Sequence, residues 1–175
     1  GGAVGVSAIN TILSIIGIDL KTLRPMPTVE GHSVPGGYSA LAVKPIALRM
    51  VRELTVALPS LSVSGIGGVM SSRDAIEFLL LGATTVQVCT GAMLQGPEMI
   101  KELCEGLSKF LTDQQAESVQ TMVGKSLPFF TTHHRLVELQ AGTKALKNAA
   151  RASRDLAWAE GKMQDVTARM TSNES

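Results

Sequence analysis

A chain of 175 residues of which 45% are hydrophobic is long enough to bury the core of one domain or slightly more. Its 16 Lys and Arg against 15 Asp and Glu leave a formal net charge of +1, so no basic field is present to attract nucleic acid or an anionic membrane surface. The two cysteines, Cys89 and Cys104, are too few for a zinc or iron–sulfur site within the chain, and we expect no metal and a reduced, cytoplasmic protein.

The chain opens on an apolar run. Residues 4–9 are short and partly β-branched, as in a strand that is buried on both faces of a parallel sheet. Because this strand is already under way at the first residues, we expect a further portion of the protein upstream. The Gly- and Pro-rich stretch 17–45 has no sustained period and is long for a structureless connection, so we predict an active-site loop there.

Alternating strands and helices are predicted after this loop. The predicted elements are a helix from Pro45 to Leu58, a strand from Leu61 to Ser64, a helix from Ser71 or Ser72 to Leu81, a strand from Thr85 to Cys89, and helices from about Pro97 to Leu111 and from Thr112 or Asp113 to Gly124. This alternation indicates parallel βαβ units with right-handed crossovers. Three strands cannot close a barrel, but in an eight-stranded barrel the loops after the last two strands commonly bind phosphate.

Glycines and a small polar tip end the second and third of these strands. Gly67 and Gly68 lack side chains, so backbone N–H groups there can reach an anion without a Cβ intervening, and Ile66 adds backbone at the strand end. Cys89 and Thr90 would complete the same site through backbone N–H groups and the Thr90 hydroxyl. The alternative is that the GIGG sequence is merely a turn.

Four motifs occur in one order and carry a resemblance. They are INT at 9–11, GGYSALAVKPIALR at 36–49, SGIGGV at 64–69 and GATTVQVCTGAM at 82–93. Together they resemble the end of the FMN-binding barrel of the dihydropyrimidine dehydrogenases, relatives of the dihydroorotate dehydrogenases. The resemblance implies an α/β fold in which residues 1–112 form the last three strand–helix units of a (β/α)8 TIM barrel and residues 113–175 form a helical C-terminal extension.

The resemblance also implies roles for particular residues. FMN would contact Ala40, at a position where relatives usually have glycine, and its phosphate would lie against Ile66, Gly67, Gly68, Cys89 and Thr90. Asn10 and Thr11 would bind the pyrimidine substrate, since an amide offers a donor and an acceptor to a planar ring that carries carbonyl and N–H groups. A local turn or strand cap is the alternative for Asn10.

We expect no catalytic role for the two cysteines or for the adjacent histidines. Cys89 is not expected to be the catalytic acid, because members of the resembled family carry that cysteine on an earlier strand, and the same holds for their flavin lysine. We therefore expect no catalytic residue in this chain and no activity from this segment alone. Cys104 is interpreted as a packed small hydrophobe, and the adjacent His133 and His134 as a surface pair.

Two charged residues and the tail complete the chain. Lys44 and Arg49 are expected to be solvated or paired on their helix, and the alternative for Lys44 is a supporting role near the loop. The tail from about Ala141 to Met170 is rich in helix-forming residues with a narrow apolar stripe, which predicts a long helix or a helix pair.

The expected function follows from the resemblance. It is NAD(P)H-linked reduction of uracil or thymine at the 5,6 double bond, with FMN as cofactor and with electrons arriving through a partner domain or subunit. A homo-oligomer or an electron-transfer subunit is the expected assembly. The alternatives are dihydroorotate oxidation on the same barrel and a non-catalytic half-barrel that serves as an interaction fragment.

Overall fold

The computed structural model describes the backbone of residues 2–159 and the side chains of residues 2–156. These residues fall into two compact units, which meet in the sequence between Phe129 and Phe130. In chain order the elements are β1 (Gly5–Ala8), β2 (Ile12–Ser14), β3 (Gly17–Asp19), β4 (Arg24–Met26), β5 (Gly36–Tyr38), α1 (Lys44–Ala57), β6 (Ser62–Gly65), α2 (Ser72–Leu80), β7 (Thr85–Val86), α3 (Thr90–Gln95), α4 (Glu98–Asp113) and α5 (His133–Ala159).

The first unit is built on a three-stranded parallel sheet with the order β1–β6–β7. Val6 is paired with Val63 in the first ladder, and Ser64 is paired with Thr85 in the second. Each neighbouring pair of strands is connected through a helix, α1 before β6 and α2 before β7. This confirms the predicted α/β class with parallel strands.

The core lies where α1 and α2 contact the sheet and where α4 contacts α2. Apolar positions at helical spacing bury Ala47 and Val51 of α1 and Ala75 and Phe78 of α2. Phe78 is fully buried against β6, and a Cβ on Gly65 would lie only 2.6 Å from its ring. Glycine at this strand position is what allows α2 to approach the sheet so closely.

The helix boundaries follow the predicted signals in this part of the chain. Pro45 lies in the first turn of α1, where its missing N–H costs nothing. The Ser71 hydroxyl caps α2 by accepting a hydrogen bond from the backbone N–H of Asp74. Gly82 follows the end of α2 with a φ of 100°, a conformation that glycine adopts without strain.

The stretch 17–45, predicted to be an active-site loop, contains strands that the sequence analysis did not predict. Within it β3 pairs antiparallel with β4, and β5 pairs antiparallel with β2, which lies just before it. The strands are only three residues long and contain Gly and Pro, so their sequences carry no alternating pattern that would have predicted them.

Three further expectations are corrected. The last strand ends at Val86, and Thr90 begins the short helix α3, which the sequence analysis did not predict. No separate helix spans 112–124; α4 continues to Asp113, and 3-10 turns follow at 120–122 and 127–129. Cys104 is exposed and is not part of the buried core.

The second unit consists, within the described residues, of α5. This helix begins earlier than the predicted Ala141, and the predicted residues 160–170 lie outside the described part of the chain. His133 and His134 are both exposed, as expected, and His134 lies 3.2 Å from the carboxylate of Glu138. Among the described residues, no helix combines the length and the apolar content that crossing a membrane requires.

We predict that Phe78→Ala lowers the free energy of unfolding by about 3–5 kcal/mol, the usual cost of removing a fully buried aromatic ring. Denaturant unfolding followed by circular dichroism measures this. The matched control is Phe129→Ala, because Phe129 is 87% exposed and its removal should change stability by less than about 0.5 kcal/mol. Equal losses in the two variants would contradict the assignment of Phe78 to the core.

Candidate functional site

One cavity at the carboxyl ends of the parallel strands brings together every residue that the sequence analysis assigned to a ligand. Its volume is about 140 Å³. The predicted residues that line it are Asn10, Thr11, Ala40, Ile66, Gly67, Gly68, Cys89 and Thr90. They come from four separate segments of the sequence, and the ends of β1, β6 and β7 account for three of them.

The pairing of β1 with β6 extends past both strands and fixes the floor of the cavity. The Ile66 N–H donates to the Ala8 carbonyl at 2.7 Å, and the Ile9 N–H donates to the Ile66 carbonyl at 2.8 Å. Both backbone groups of Ile66 are therefore used within the protein. Ile66 lines the cavity, but it places the following glycines and offers no free donor of its own.

Gly67 and Gly68 form the turn after β6. Their φ angles are 127° and 79°, and a Cβ on Gly68 would lie 2.7 Å from the Ala40 carbonyl oxygen. Within the described residues, the backbone N–H groups of Gly67, Gly68 and Val69 have no hydrogen-bond acceptor. Successive unpaired N–H groups in a glycine turn are the chemistry with which proteins bind phosphate oxygens.

Cys89 and Thr90 line the same cavity as this turn. Thr90 is half-buried, and its hydroxyl donates to the Ser39 hydroxyl at 3.3 Å, which joins the third strand end to the segment before α1. A Cβ on the neighbouring Gly91 would lie 2.5 Å from the Val69 carbonyl oxygen. The residues that follow the two predicted parts of the phosphate site, Val69 and Gly91, therefore lie close together.

Ala40 begins the 3-10 turn that precedes α1 and has a φ of 63°. A residue with a Cβ pays about 1–2 kcal/mol in this left-handed region, whereas glycine does not. The resemblance indicated glycine as the usual residue here, and the observed backbone supplies the physical reason.

Asn10 and Thr11 follow β1 and are both exposed. The Asn10 side-chain oxygen accepts a hydrogen bond from the Thr11 N–H at 2.8 Å, which is the local contact considered as the alternative to substrate binding. Only the oxygen is used, and the amide nitrogen makes no hydrogen bond to another described residue. The local contact holds the amide in place while leaving its two donors for a ligand.

The strongest electrostatic contact near the cavity joins Lys44 to Asp74. The Lys44 ammonium binds the Asp74 carboxylate and also lies 2.9 Å from Glu77. The hydrogen bond to Asp74 raises the pKa of Lys44 above its ordinary value of 10.5, although burial acts in the other direction. Lys44 is therefore a paired residue, as expected, and its ammonium is not available to a ligand.

Asp74 is only 5% exposed and stays ionised for a related reason. Burial alone would raise the pKa of this carboxyl, but hydrogen bonds from Lys44, Ser71 and the Met70 N–H outweigh it and hold the pKa below 3.8. Both partners are therefore charged throughout the neutral pH range.

Comparison with known proteins now identifies the family. The sequence profile of the family described as dihydroorotate dehydrogenase matches residues 2–111, which include the whole cavity. The chain belongs to the dihydroorotate dehydrogenase family.

Relatives within this family carry two kinds of name. The chloroplastic dihydropyrimidine dehydrogenase (NADP(+)) of Arabidopsis thaliana is 45% identical over 98% of this chain and 42% of its own length. The NAD-dependent dihydropyrimidine dehydrogenase subunit PreA of Escherichia coli is 49% identical over 71% of this chain and 31% of its own. The catalytic subunit of dihydroorotate dehydrogenase B (NAD(+)) of Pyrococcus horikoshii is 43% identical over 73% and 40%. The chain spans less than half the length of these relatives.

The sequence analysis did not identify Gln87 as a residue of the cavity. Its side-chain nitrogen donates to the hydroxyls of Ser7 and Ser64, both at 2.8 Å, so one amide links all three strands on the sheet face away from the helices. Gln87 also lines the cavity. Period-two alternation from Thr85 would have placed it on this face, since residues two apart in a strand share a face.

We predict that Ala40→Gly raises the free energy of unfolding by about 0.5–1 kcal/mol, since relief of the left-handed strain exceeds the entropy cost of glycine. Ala42→Gly is the matched control, because Ala42 lies in the same turn without a positive φ; it should cost about 0.5–1 kcal/mol. Denaturant unfolding of the two variants measures the difference. Loss of stability in both would show that Ala40 is unstrained.

Proposed function

We propose that this protein is an FMN-dependent oxidoreductase that uses NAD(P)H to reduce the 5,6 double bond of uracil or thymine. The observation that carries the proposal is the single cavity lined by all eight predicted ligand residues. The names of two relatives at 45% and 49% identity, both dihydropyrimidine dehydrogenases, support this substrate class.

The architecture that goes with this proposal is a (β/α)8 barrel of which β1, β6 and β7 are the last three strands. The parallel order, the helix in each crossover and the cavity at the carboxyl edge support it. Residues 1–112 would then belong to the barrel and residues 113–175 to a helical extension. Residues 113–129 belong to the same compact unit as the sheet, and the N–H groups of Gly124 and Ser126 donate to carbonyls at the end of α2.

The residues present fit the phosphate end of FMN. The unpaired N–H groups at Gly67 and Gly68 would bind phosphate oxygens together with the backbone N–H groups of Cys89 and Thr90, and Ala40 would lie against the flavin. About 140 Å³ is less than the roughly 300–1,000 Å³ of most ligand pockets, so this chain would hold one end of the cofactor. FMN would supply the hydride chemistry, and the protein binds and orients.

The pyrimidine would lie against the end of β1. In this proposal the Asn10 amide donates to a ring carbonyl while its oxygen keeps the bond to the Thr11 N–H, so the amide direction is fixed before the substrate binds. The polar groups that this chain contributes nearby are neutral hydroxyls and amides, which match the carbonyl and N–H groups of an uncharged ring. Cys89 lies with the phosphate-binding residues and is not assigned proton transfer.

The electron donor and the assembly are part of the same proposal. Two relatives are named as subunits, PreA and the catalytic subunit of dihydroorotate dehydrogenase B. We infer that electrons from NAD(P)H reach the flavin through a partner domain or subunit. Cytoplasmic location belongs to the proposal as well, although the name of the Arabidopsis relative places that protein in the chloroplast.

Dihydroorotate oxidation is the second candidate. The matched family bears its name, and the Pyrococcus relative is 43% identical. The two reactions differ in the ring that they bind, since dihydroorotate carries a carboxylate that uracil and thymine lack. A titration of the bound flavin spectrum with each pyrimidine distinguishes them.

We predict that the purified protein binds FMN more tightly than riboflavin by at least about tenfold, because only FMN offers a phosphate to the Gly67–Val69 N–H groups. Quenching of flavin fluorescence measures both affinities, and uracil should then perturb the bound flavin spectrum more than dihydroorotate does. Equal affinity for the two flavins would refute the phosphate site. Absence of flavin binding would favour the remaining alternative, a non-catalytic interaction fragment.

We also predict that Asn10→Ala weakens uracil binding by about 1–3 kcal/mol, the cost of leaving a ring group without its partner, with a smaller effect on FMN. Asn10→Asp is the informative control, because it keeps the oxygen that accepts from the Thr11 N–H and removes the amide donors. If Asn10 contacts the substrate through its donors, both variants lose uracil binding. Wild-type uracil affinity in Asn10→Asp would instead assign Asn10 to the local turn.

A further inference from the structure

Asp74 is a buried carboxylate that does not line the cavity but contacts the segment that does. One of its oxygens accepts the Met70 N–H at 3.0 Å and the Ser71 hydroxyl at 2.8 Å. The other oxygen binds the Lys44 ammonium at the start of α1. A single side chain therefore joins the turn after β6 to the helix that precedes that strand.

Both backbone polar groups of Met70 form hydrogen bonds with side chains. Its N–H is bound by Asp74 of α2, and its carbonyl oxygen accepts the side-chain nitrogen of Gln95, at the end of α3, at 3.0 Å. The chain segment that follows the two glycines is thus fixed between the two helices that flank it.

Lys44 closes this set of contacts back onto the glycines. A Cβ on Gly68 would lie 2.8 Å from the Lys44 Cβ and 3.1 Å from its backbone nitrogen. Gly68 therefore packs against the residue whose ammonium Asp74 binds. Packing against Lys44 holds the turn at Gly68, and a hydrogen bond to Asp74 holds it at Met70. Asp74 therefore contacts the turn directly at Met70 and, through Lys44, indirectly at Gly68.

We propose that Asp74 is a positioning residue for the phosphate end of the site, which holds the Gly67–Met70 turn against the start of α1 so that its unpaired N–H groups face one phosphate. This inference rests on the FMN function proposed above. Asp74 does not contact the ligand, and it acts through Met70 and Lys44. No change of the fold is needed for its effect, because the contacts concern a four-residue turn.

The test is Asp74→Asn in the full chain, with the affinities for FMN and riboflavin measured by fluorescence quenching. Asn keeps the size of the side chain but removes the charge that binds Lys44. FMN affinity should fall by about tenfold or more, the size expected for a lost charged hydrogen bond, while riboflavin affinity changes by less than about twofold. The ratio of the two affinities is a readout that a general loss of stability would not move.

Two further variants sharpen the comparison. Glu77→Gln removes the second carboxylate partner of Lys44 without touching the turn, and both flavin affinities should stay as in the wild type. Ser71→Ala removes one hydrogen bond to the Asp74 carboxylate together with the cap of α2, so stability should fall, but FMN affinity should fall less than in Asp74→Asn and riboflavin affinity should not change. If Asp74→Asn does not fold, the Ser71→Ala ratio decides the question.

The outcomes separate this inference from the proposed function. A wild-type protein that prefers FMN, together with an unchanged FMN-to-riboflavin ratio in Asp74→Asn, overturns the role of Asp74 alone. Equal weakening of both flavins overturns it too, since that result assigns Asp74 to stability. A wild-type protein without preference for FMN refutes the phosphate site itself, and the inference is refuted with it.

Discussion

The central position of β6 is the constraint on which the rest of the first unit depends. Backbone hydrogen bonds pair β6 with β1 on one side and with β7 on the other, and the first ladder continues as far as Ile66. Because parallel strands end at the same edge, this pairing carries residues that are about eighty positions apart in the sequence to one cavity. The Gln87 amide, which reaches Ser7 and Ser64, secures the same alignment through side chains.

The charged side chains near the cavity are paired with one another, which determines the groups that remain to bind a ligand. Lys44, which packs against Gly68, is bound by two carboxylates, so the groups that the glycine turn offers to an anion are its backbone N–H groups. Removing one partner of a buried ion pair typically costs about 3–5 kcal/mol because the other charge remains buried without compensation. The ion pair therefore stabilises the contact between α1 and α2, and the near-zero net charge of the chain is compatible with an anion site.

Sequence reasoning predicted the parallel α/β class, the cap at Ser71, Pro45 in the first turn of α1, and eight of the residues that line the cavity, because each depends on local chemistry or on ordered motifs. It did not predict the ribbons within 17–45, whose three-residue strands are stabilised by pairing and not by propensity. It also did not predict the hydrogen bonds of the buried Asp74. Its contact with Lys44 joins residues 30 positions apart, and no local pattern carries that information.

The glycines themselves show why ligand variation is a better probe of this site than their replacement. A larger residue at Gly68 would collide with the Ala40 carbonyl, and one at Gly67 would approach the Ala47 Cβ to 2.9 Å, in both cases at a positive φ. Loss of flavin in a Gly67→Val or Gly68→Val variant would therefore follow from a distorted turn whether or not phosphate binds there. Glycine at these two positions has two consequences. It allows close packing against α1, and it leaves the backbone N–H groups accessible to a ligand. Removing the phosphate from the ligand leaves the packing of the turn unchanged and removes only the group that the N–H groups would bind. The comparison of FMN with riboflavin therefore separates ligand recognition from folding.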